Sequence, residues 1–372
     1  MRPTPRRTCP LGLAGWGRVA RLIHGKVLAT LPEISVLAVA EPDAAARAEA
    51  QRAFPSARVV EDHRRLLAVP GVEAVLVGVP THLHAEIAAD AFRAGRHVYL
   101  EKPLAPNLAE GDEVLAAWRA AGTAGMIGFN LRFDGRYLEA RRRLAAGEIG
   151  RPLAARTVFT TPRRAFPAWK ASRATGGGAL LDLGSHDVDL VRFLFGAEIA
   201  EVRAELRTVE HEDDLARLWL HLENGLTVDS LVCTCAADDG RLDVYGDRGW
   251  LAVDRLCSAA VEVRRGALWE RSRLRRLADS GTALLGRMPR AASLRGRAPL
   301  DSYRAALRAF ARAARNGGAC SPDLDDGWRS LAVVVAAEAA AASGSPVEPK
   351  RPAVSGSPVE TDRPATQEPA RA

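Results

Sequence analysis

The chain has 372 residues, 47% of them hydrophobic, too many for one simple core and suited to two domains and a tail. No apolar run approaches the length of about 18 residues that a membrane-spanning helix needs. The formal charge of +7 is diffuse, with one local excess between Arg264 and Arg297 and no interleaved aromatic residues, which argues against a nucleic-acid partner.

The N-terminal stretch carries Arg6-Arg7, which opens an export reading. The apolar stretch 11–14 that follows is too short for a signal h-region and runs into a glycine motif, so the cytoplasm is expected. The five cysteines, Cys9, Cys233, Cys235, Cys257 and Cys320, are scattered and odd in number, and read as free thiols of a reducing compartment. Lys26, Lys102, Lys170 and Lys350 are the only lysines among 52 basic residues. In a chain that writes Arg for mere charge, a lysine in a proline-flanked loop points to chemistry, because Lys can shift its pKa and Arg cannot.

Residues 8–122 alternate short apolar runs with helical stretches. Strands are expected at 10–14, 35–40, 74–79, 97–100 and 125–130, and helices at 18–30, 43–53, 84–94 and 108–121. Continuous Val, Leu and Ala runs fit a parallel sheet covered on both faces. After about residue 150, polar and apolar residues alternate at 153–161, 199–209, 215–222, 227–235, 242–245 and 260–265, with turn signals at Asn224-Gly225 and Asp247-Arg248-Gly249. This predicts an open, largely antiparallel mixed sheet, interrupted by a helix at 179–195 and closed by helices at 301–316 and 323–342. The Arg-rich segment 264–297 reads as a loop or short helix. From Ser343 the chain repeats SGSPVEPKRPA as SGSPVETDRPA, and without aromatic residues it predicts a disordered tail. The fold class is thus α/β: a Rossmann doubly wound sheet over 1–125, a second α/β domain over 126–342, and the tail 343–372.

Gly15-Trp16-Gly17-Arg18-Val19-Ala20 is G-x-G-x-x-A between a strand and a helix. Gly15 permits the tight turn, Gly17 lets the backbone approach a pyrophosphate, and Ala20 lets the helix pack on the strand. The second strand ends at Glu41, 24 residues past Gly17, where a carboxylate bonds ribose hydroxyls and repels a 2′-phosphate, favouring NAD. Arg18 and Arg47 keep NADP open, and a glycine turn in another doubly wound fold is the bland alternative.

Two later strand ends carry polar residues: Val79-Pro80-Thr81-His82-Leu83-His84 and Leu100-Glu101-Lys102-Pro103. Pro103 stops the strand and aims Lys102 at the crevice; a Glu101–Lys102 surface salt bridge is the alternative. His82 and His84 lack a further ligand at metal-site spacing, so no metal is assigned to them. Gly176-Gly177-Gly178 then leads into a helix on which Asp182 and His186 stand at i and i+4, a carboxylate placed to orient an imidazole base. Half of a metal site and a buried structural pair are the competing readings. The glycine run fits backbone lying against a ligand.

The segments VPTHLHAEIAADAFRAGRHVYLEKPLA, GFNLRFDGRYLEARRRLAAGEIGRPLAAR and GGGALLDLGSHDVDLVRFLFG resemble the Gfo/Idh/MocA family, that of glucose–fructose oxidoreductase and inositol dehydrogenase. The likeness runs from about residue 10 to 342. It implies a Rossmann domain followed by an α/β domain whose open sheet makes a homodimer or homotetramer. Lys102 would contact substrate and cofactor, and His186 would be the acid/base beside Asp182. Pro80, Thr81, His84 and Glu101 would line the cofactor, and Asn130 and Arg132 would reach nicotinamide and substrate. The expected activity is NAD-dependent oxidation of a secondary alcohol on a small polyhydroxylated substrate. The rivals are an NAD-retaining glycosidase or epimerase and a non-catalytic NAD-sensing regulator.

Overall fold

In the computed structural model, residues 8–163, 165, 167–258, 260–266 and 298–352 are described. β1 (Cys9–Ala14), β2 (Ile34–Ala40), β3 (Arg58–Val60), β4 (Ala74–Val77), β5 (His97–Leu100) and β6 (Gly125–Ile127) form a wholly parallel sheet in the order β3-β2-β1-β4-β5-β6. The order reverses between β1 and β4, which opens a crevice at the carboxyl ends of those strands. The first crossover passes through a π-helical turn, Ala20–His24, into α1 (Gly25–Leu28). It is followed by α2 (Ala44–Ala53), α3 (His63–Leu67), α4 (His84–Arg93) and α5 (Leu108–Ala121). Asp43, Asp62 and Asn107 start α2, α3 and α5, each side chain accepting a backbone N–H of the first turn.

α6 (Gly135–Ala145) leads into the second sheet. Its strands are β7 (Pro152–Thr160), β8 (Ile199–Arg207), β9 (Leu215–Leu222), β10 (Thr227–Cys233), β11 (Asp239–Gly246), β12 (Gly249–Asp254) and β13 (Val261–Arg265), in the order β13-β12-β11-β7-β10-β9-β8. Only β7 and β10 pair in parallel. A second π-helical turn, Leu180–Gly184, opens α7 (Ser185–Phe195). β9 shows why one face is covered: Ala216, Leu218, Leu220 and Leu222 are buried, whereas Arg217, Trp219 and His221 face out.

Two helices end the described chain, α8 (Ala298–Asn316) and α9 (Leu324–Ser343). Grouping α8 with the second half is corrected by its packing. Leu307, Phe310 and Ala311 share a core with Leu11, Leu13, Val39 and Tyr99, and Phe310 meets the Tyr99 ring edge-on at 5.7 Å. The chain therefore returns to cover one face of the Rossmann sheet. α9 spans both halves, with Trp328 Nε1 donating to Asp112 of α5 at 2.7 Å and Leu331 in the main core.

The expected tail also starts too early. Val347 exchanges backbone hydrogen bonds with Val202 of β8, and Arg351 pairs with Glu223, so 344–352 lies along the sheet edge. The apolar Val347 finds an unpaired strand edge, which composition alone does not show. Residues 353–372 and most of the Arg-rich segment, 267–297, lie outside the described residues; Arg264 and Arg265 belong to β13. β3, α3, α6 and β12 were not expected. Charge masks α6, whose buried stripe is only Tyr137, Ala140 and Leu144, and β12 shows no clean alternation.

Candidate active site

The glycine loop joins β1 to the first helix. Gly15 adopts φ +94°, and a Cβ there would come within 2.6 Å of the Gly78 carbonyl oxygen, so only glycine fits the turn. A Cβ on Gly17 would meet nothing within 4 Å, leaving the backbone open to a phosphate at the helix start. Glu41, at the end of β2, accepts the Trp16 N–H at 2.7 Å and the Asp43 N–H at 3.0 Å. It thus braces the loop from the ribose side of the crevice. Arg18 and Val19 face solvent, while the Trp16 indole turns into the core against Phe54. Arg47 is spent on the carbonyls of Glu41 and Pro42. This open loop with its carboxylate suits an NAD pyrophosphate and ribose.

Lys102 follows β5, and its ammonium crosses to the second half. Nζ donates to Asp182 Oδ1 at 2.7 Å and to the Asp182 carbonyl at 2.6 Å. The alternative reading, a surface pair with Glu101, is not what forms. Glu101 is buried, meets His24 Nε2 at 2.7 Å and accepts the Lys102 N–H at 3.3 Å. His84 is also turned inward, its two ring nitrogens facing the carbonyls of Pro103 at 2.7 Å and Val79 at 3.1 Å. It clamps the two strand-end loops together instead of lining the crevice. Pro80 caps the short 3-10 turn at Thr81–Leu83, and His82 only approaches the Thr175 carbonyl.

Asp182 does not orient His186. Its second oxygen, Oδ2, accepts from Lys170 Nζ at 2.7 Å. The cause is local: residues Leu180–Gly184 are π-helical, and the wider turn takes Asp182 off the i, i+4 line to His186. Burial opposes the charge on Asp182, but the Lys102 and Lys170 ammoniums outweigh it and hold the carboxyl well below the usual carboxylate range. A carboxylate ringed by ammoniums is a poor partner for a metal ion. His186 is buried between the rings of Phe129 and Phe159, at 6.0 and 6.3 Å, and its Nδ1 has no hydrogen-bond partner. Burial, then Lys102, push its pKa well below the ordinary imidazole value, so the ring is neutral.

Lys170 is a site residue the sequence reading passed over, although lysine scarcity had marked it as one of four. The glycine run also serves a different end. A Cβ on Gly176 would strike Thr81, and one on Gly177 the Lys170 carbonyl, so the glycines let three loops close on one another. Asn130 and Arg132 are buried and engaged by other protein groups. Asn130 donates to Ser302, and Arg132 forms a two-pronged pair with Asp189 at 2.6 and 2.9 Å while also reaching Asp326.

Comparison with known proteins places this arrangement. Residues 10–129 match the description "Oxidoreductase family, NAD-binding Rossmann fold", and residues 137–252 match "GFO/IDH/MocA C-terminal domain". The chain belongs to the GFO/IDH/MocA oxidoreductase family. It is 31% identical to 1,5-anhydro-D-fructose reductase of Ensifer adhaerens over 352 residues, 91% of this chain and 97% of the reductase. It is 28% identical to myo-inositol 2-dehydrogenase of Thermotoga maritima over 260 residues, 68% of this chain and 77% of that enzyme. The fold matches levoglucosan dehydrogenase in complex with NADH and L-sorbose at a TM-score of 0.77 and 23% identity, covering 93% of this chain and all of that one. As a member of this family, the chain is an NAD-binding dehydrogenase or reductase. No helix among the described residues is long and apolar enough to cross a membrane.

Proposed function

We propose that this GFO/IDH/MocA oxidoreductase interconverts a secondary alcohol and a ketone on a sugar, cyclitol or sugar derivative. One observation carries the reading: the Lys102 ammonium is anchored on Asp182 beside a neutral, buried His186, at the strand end that borders the NAD crevice. Bound NAD supplies the hydride acceptor. His186 takes the proton of the reacting hydroxyl, which a neutral imidazole can do and an imidazolium cannot. Lys102 donates a hydrogen bond to the same oxygen and offsets the negative charge that develops there. Phe129 and Phe159 keep water from the imidazole. NAD is preferred over NADP because Glu41 would meet a 2′-phosphate with like charge, and Arg47 is occupied.

The outward face of the second sheet, with Leu153, Trp219 and Tyr245 each more than two-fifths exposed, supports a homodimer or homotetramer through that face. A panel of sugars and inositols offered with NAD and read by reduced-cofactor absorbance tests the reaction. Formation of NADH with at least one polyol, abolished by Lys102→Met and His186→Ala, is expected. Tightly retained NAD with no net NADH from any substrate would instead favour the glycosidase or epimerase reading.

A further inference from the structure

We propose that Arg255 makes this enzyme selective for a polyol that carries a carboxylate, a sugar acid in place of a neutral sugar. The inference rests on the alcohol-oxidation reading above and specifies its substrate class. Arg255 leaves the end of β12, its N–H held by the Gly240 carbonyl at 2.7 Å. Its guanidinium lies over the Phe159 ring, 4.4 Å from the centroid, and Phe159 in turn packs 6.3 Å from the His186 ring. Its charge acts on His186, on Tyr137 of α6 and on Tyr303 of α8.

The space for this side chain is built in. A Cβ at Gly240 would come within 2.8 Å of Arg255 Nε, so β11 carries glycine where the guanidinium passes. Yet the guanidinium has no hydrogen-bond or ion-pair partner among the described residues. The carboxylates nearest to it in the chain and in the neighbouring loops are engaged elsewhere. Asp254 accepts the Leu256 and Cys257 N–H groups, Asp239 accepts from Gly240 and Arg241, and Asp134 holds Arg136. A half-buried, stacked and unpaired guanidinium beside a catalytic base is incomplete, because burying a cation without an anion costs free energy.

Lys102 and Lys170 already share an anion in Asp182, and the remaining N–H of Lys102 is assigned to the reacting hydroxyl. The free donor is thus a single planar fork, which matches the two oxygens of a carboxylate. Phosphate sites more often gather several cations or a cradle of backbone N–H groups, and neither surrounds Arg255.

Equilibrium binding of D-glucuronate, D-glucose and D-glucose 6-phosphate to the NADH-loaded protein, followed by cofactor fluorescence, tests this without relying on turnover. Glucuronate is expected to bind at least tenfold tighter than glucose. Arg255→Gln should erase that preference, a loss on the order of tenfold to a hundredfold for one charge-assisted pair, while Arg255→Lys retains part of it. Equal binding of glucuronate and glucose by the wild type overturns the proposal even if the variants fail to fold. So does a preference that survives in Arg255→Gln, or tighter binding of the phosphate ester than of glucuronate. Arg255-dependent glucuronate binding with no NADH formed from any polyol would leave this inference standing and remove the redox reading on which it builds.

Discussion

Lys102 Nζ is tethered twice to Asp182, to its carboxylate at 2.7 Å and to its backbone carbonyl at 2.6 Å. These residues lie 80 positions apart, so the pair ties the last loop of the NAD crevice to the π-helical turn that precedes His186. The pair sets where the ammonium sits and what charge the imidazole feels.

Lys102→Met and Asp182→Asn are expected to shift the pH profile in opposite directions. The Lys102 charge lowers the proton affinity of His186 and the Asp182 charge raises it. Removing the ammonium therefore moves the acid limb of kcat/KM to higher pH, and neutralising the carboxylate moves it lower. Turnover should fall by about 10² or more in Lys102→Met, the scale of a lost group at the reacting atoms. A limb that stays in place in both variants would remove His186 as the titrating base.

Glu41 has two duties, and one substitution separates them. Fluorescence titration should show tighter binding of NADH than of NADPH to the wild type. Glu41→Ala should narrow that gap by weakening NADH and removing repulsion from the 2′-phosphate. It should also lower thermal stability by about 1 kcal/mol, since the Trp16 and Asp43 N–H groups lose their acceptor. An unchanged NADH/NADPH ratio would show that the carboxylate acts on the loop alone.

Arg132 is expected to behave as a structural residue. Its guanidinium makes two direct hydrogen bonds to a fully buried Asp189, and Arg132→Leu leaves that carboxylate only Arg192, 3.7 Å away. Urea unfolding should show a loss of about 3–5 kcal/mol. A variant of wild-type stability with a raised KM would return Arg132 to the substrate.

Under native conditions one thiol should react quickly with a disulfide reagent, that of Cys257, which is exposed. Burial pushes the thiols of Cys9 up to about 11 and of Cys235 and Cys320 up to about 12, so few of them are thiolates at neutral pH. Mass mapping after brief alkylation checks this. Rapid labelling of Cys9 would contradict its burial in the core beside Leu31 and Ile34.

The Rossmann half was legible because its signals are local. Gly15, Gly17 and Glu41 sit at strand ends, and β5 and α5 fall at the residues their apolar runs predict. The repeat tail was misjudged at its start because Val347 gains its place from β8, more than a hundred residues away. The same holds for α8. Its apolar stripe announces a helix, but nothing in the stripe says which sheet it covers.

Residue types and spacing alone determined the fold class, and they pointed to the glycine loop and to Lys102, Asp182 and His186 as candidates. Each of these follows from a short-range rule of turn geometry, strand ending or residue chemistry. Only the tertiary structure decided who pairs with whom. A widened helical turn moved Asp182 from His186 to Lys102 and Lys170, and a buried network claimed Arg132. A stacked position over Phe159 left Arg255 without a partner. Pairings of this kind depend on the relative placement of distant backbone segments, which packing sets to a fraction of an ångström and which residue order does not record.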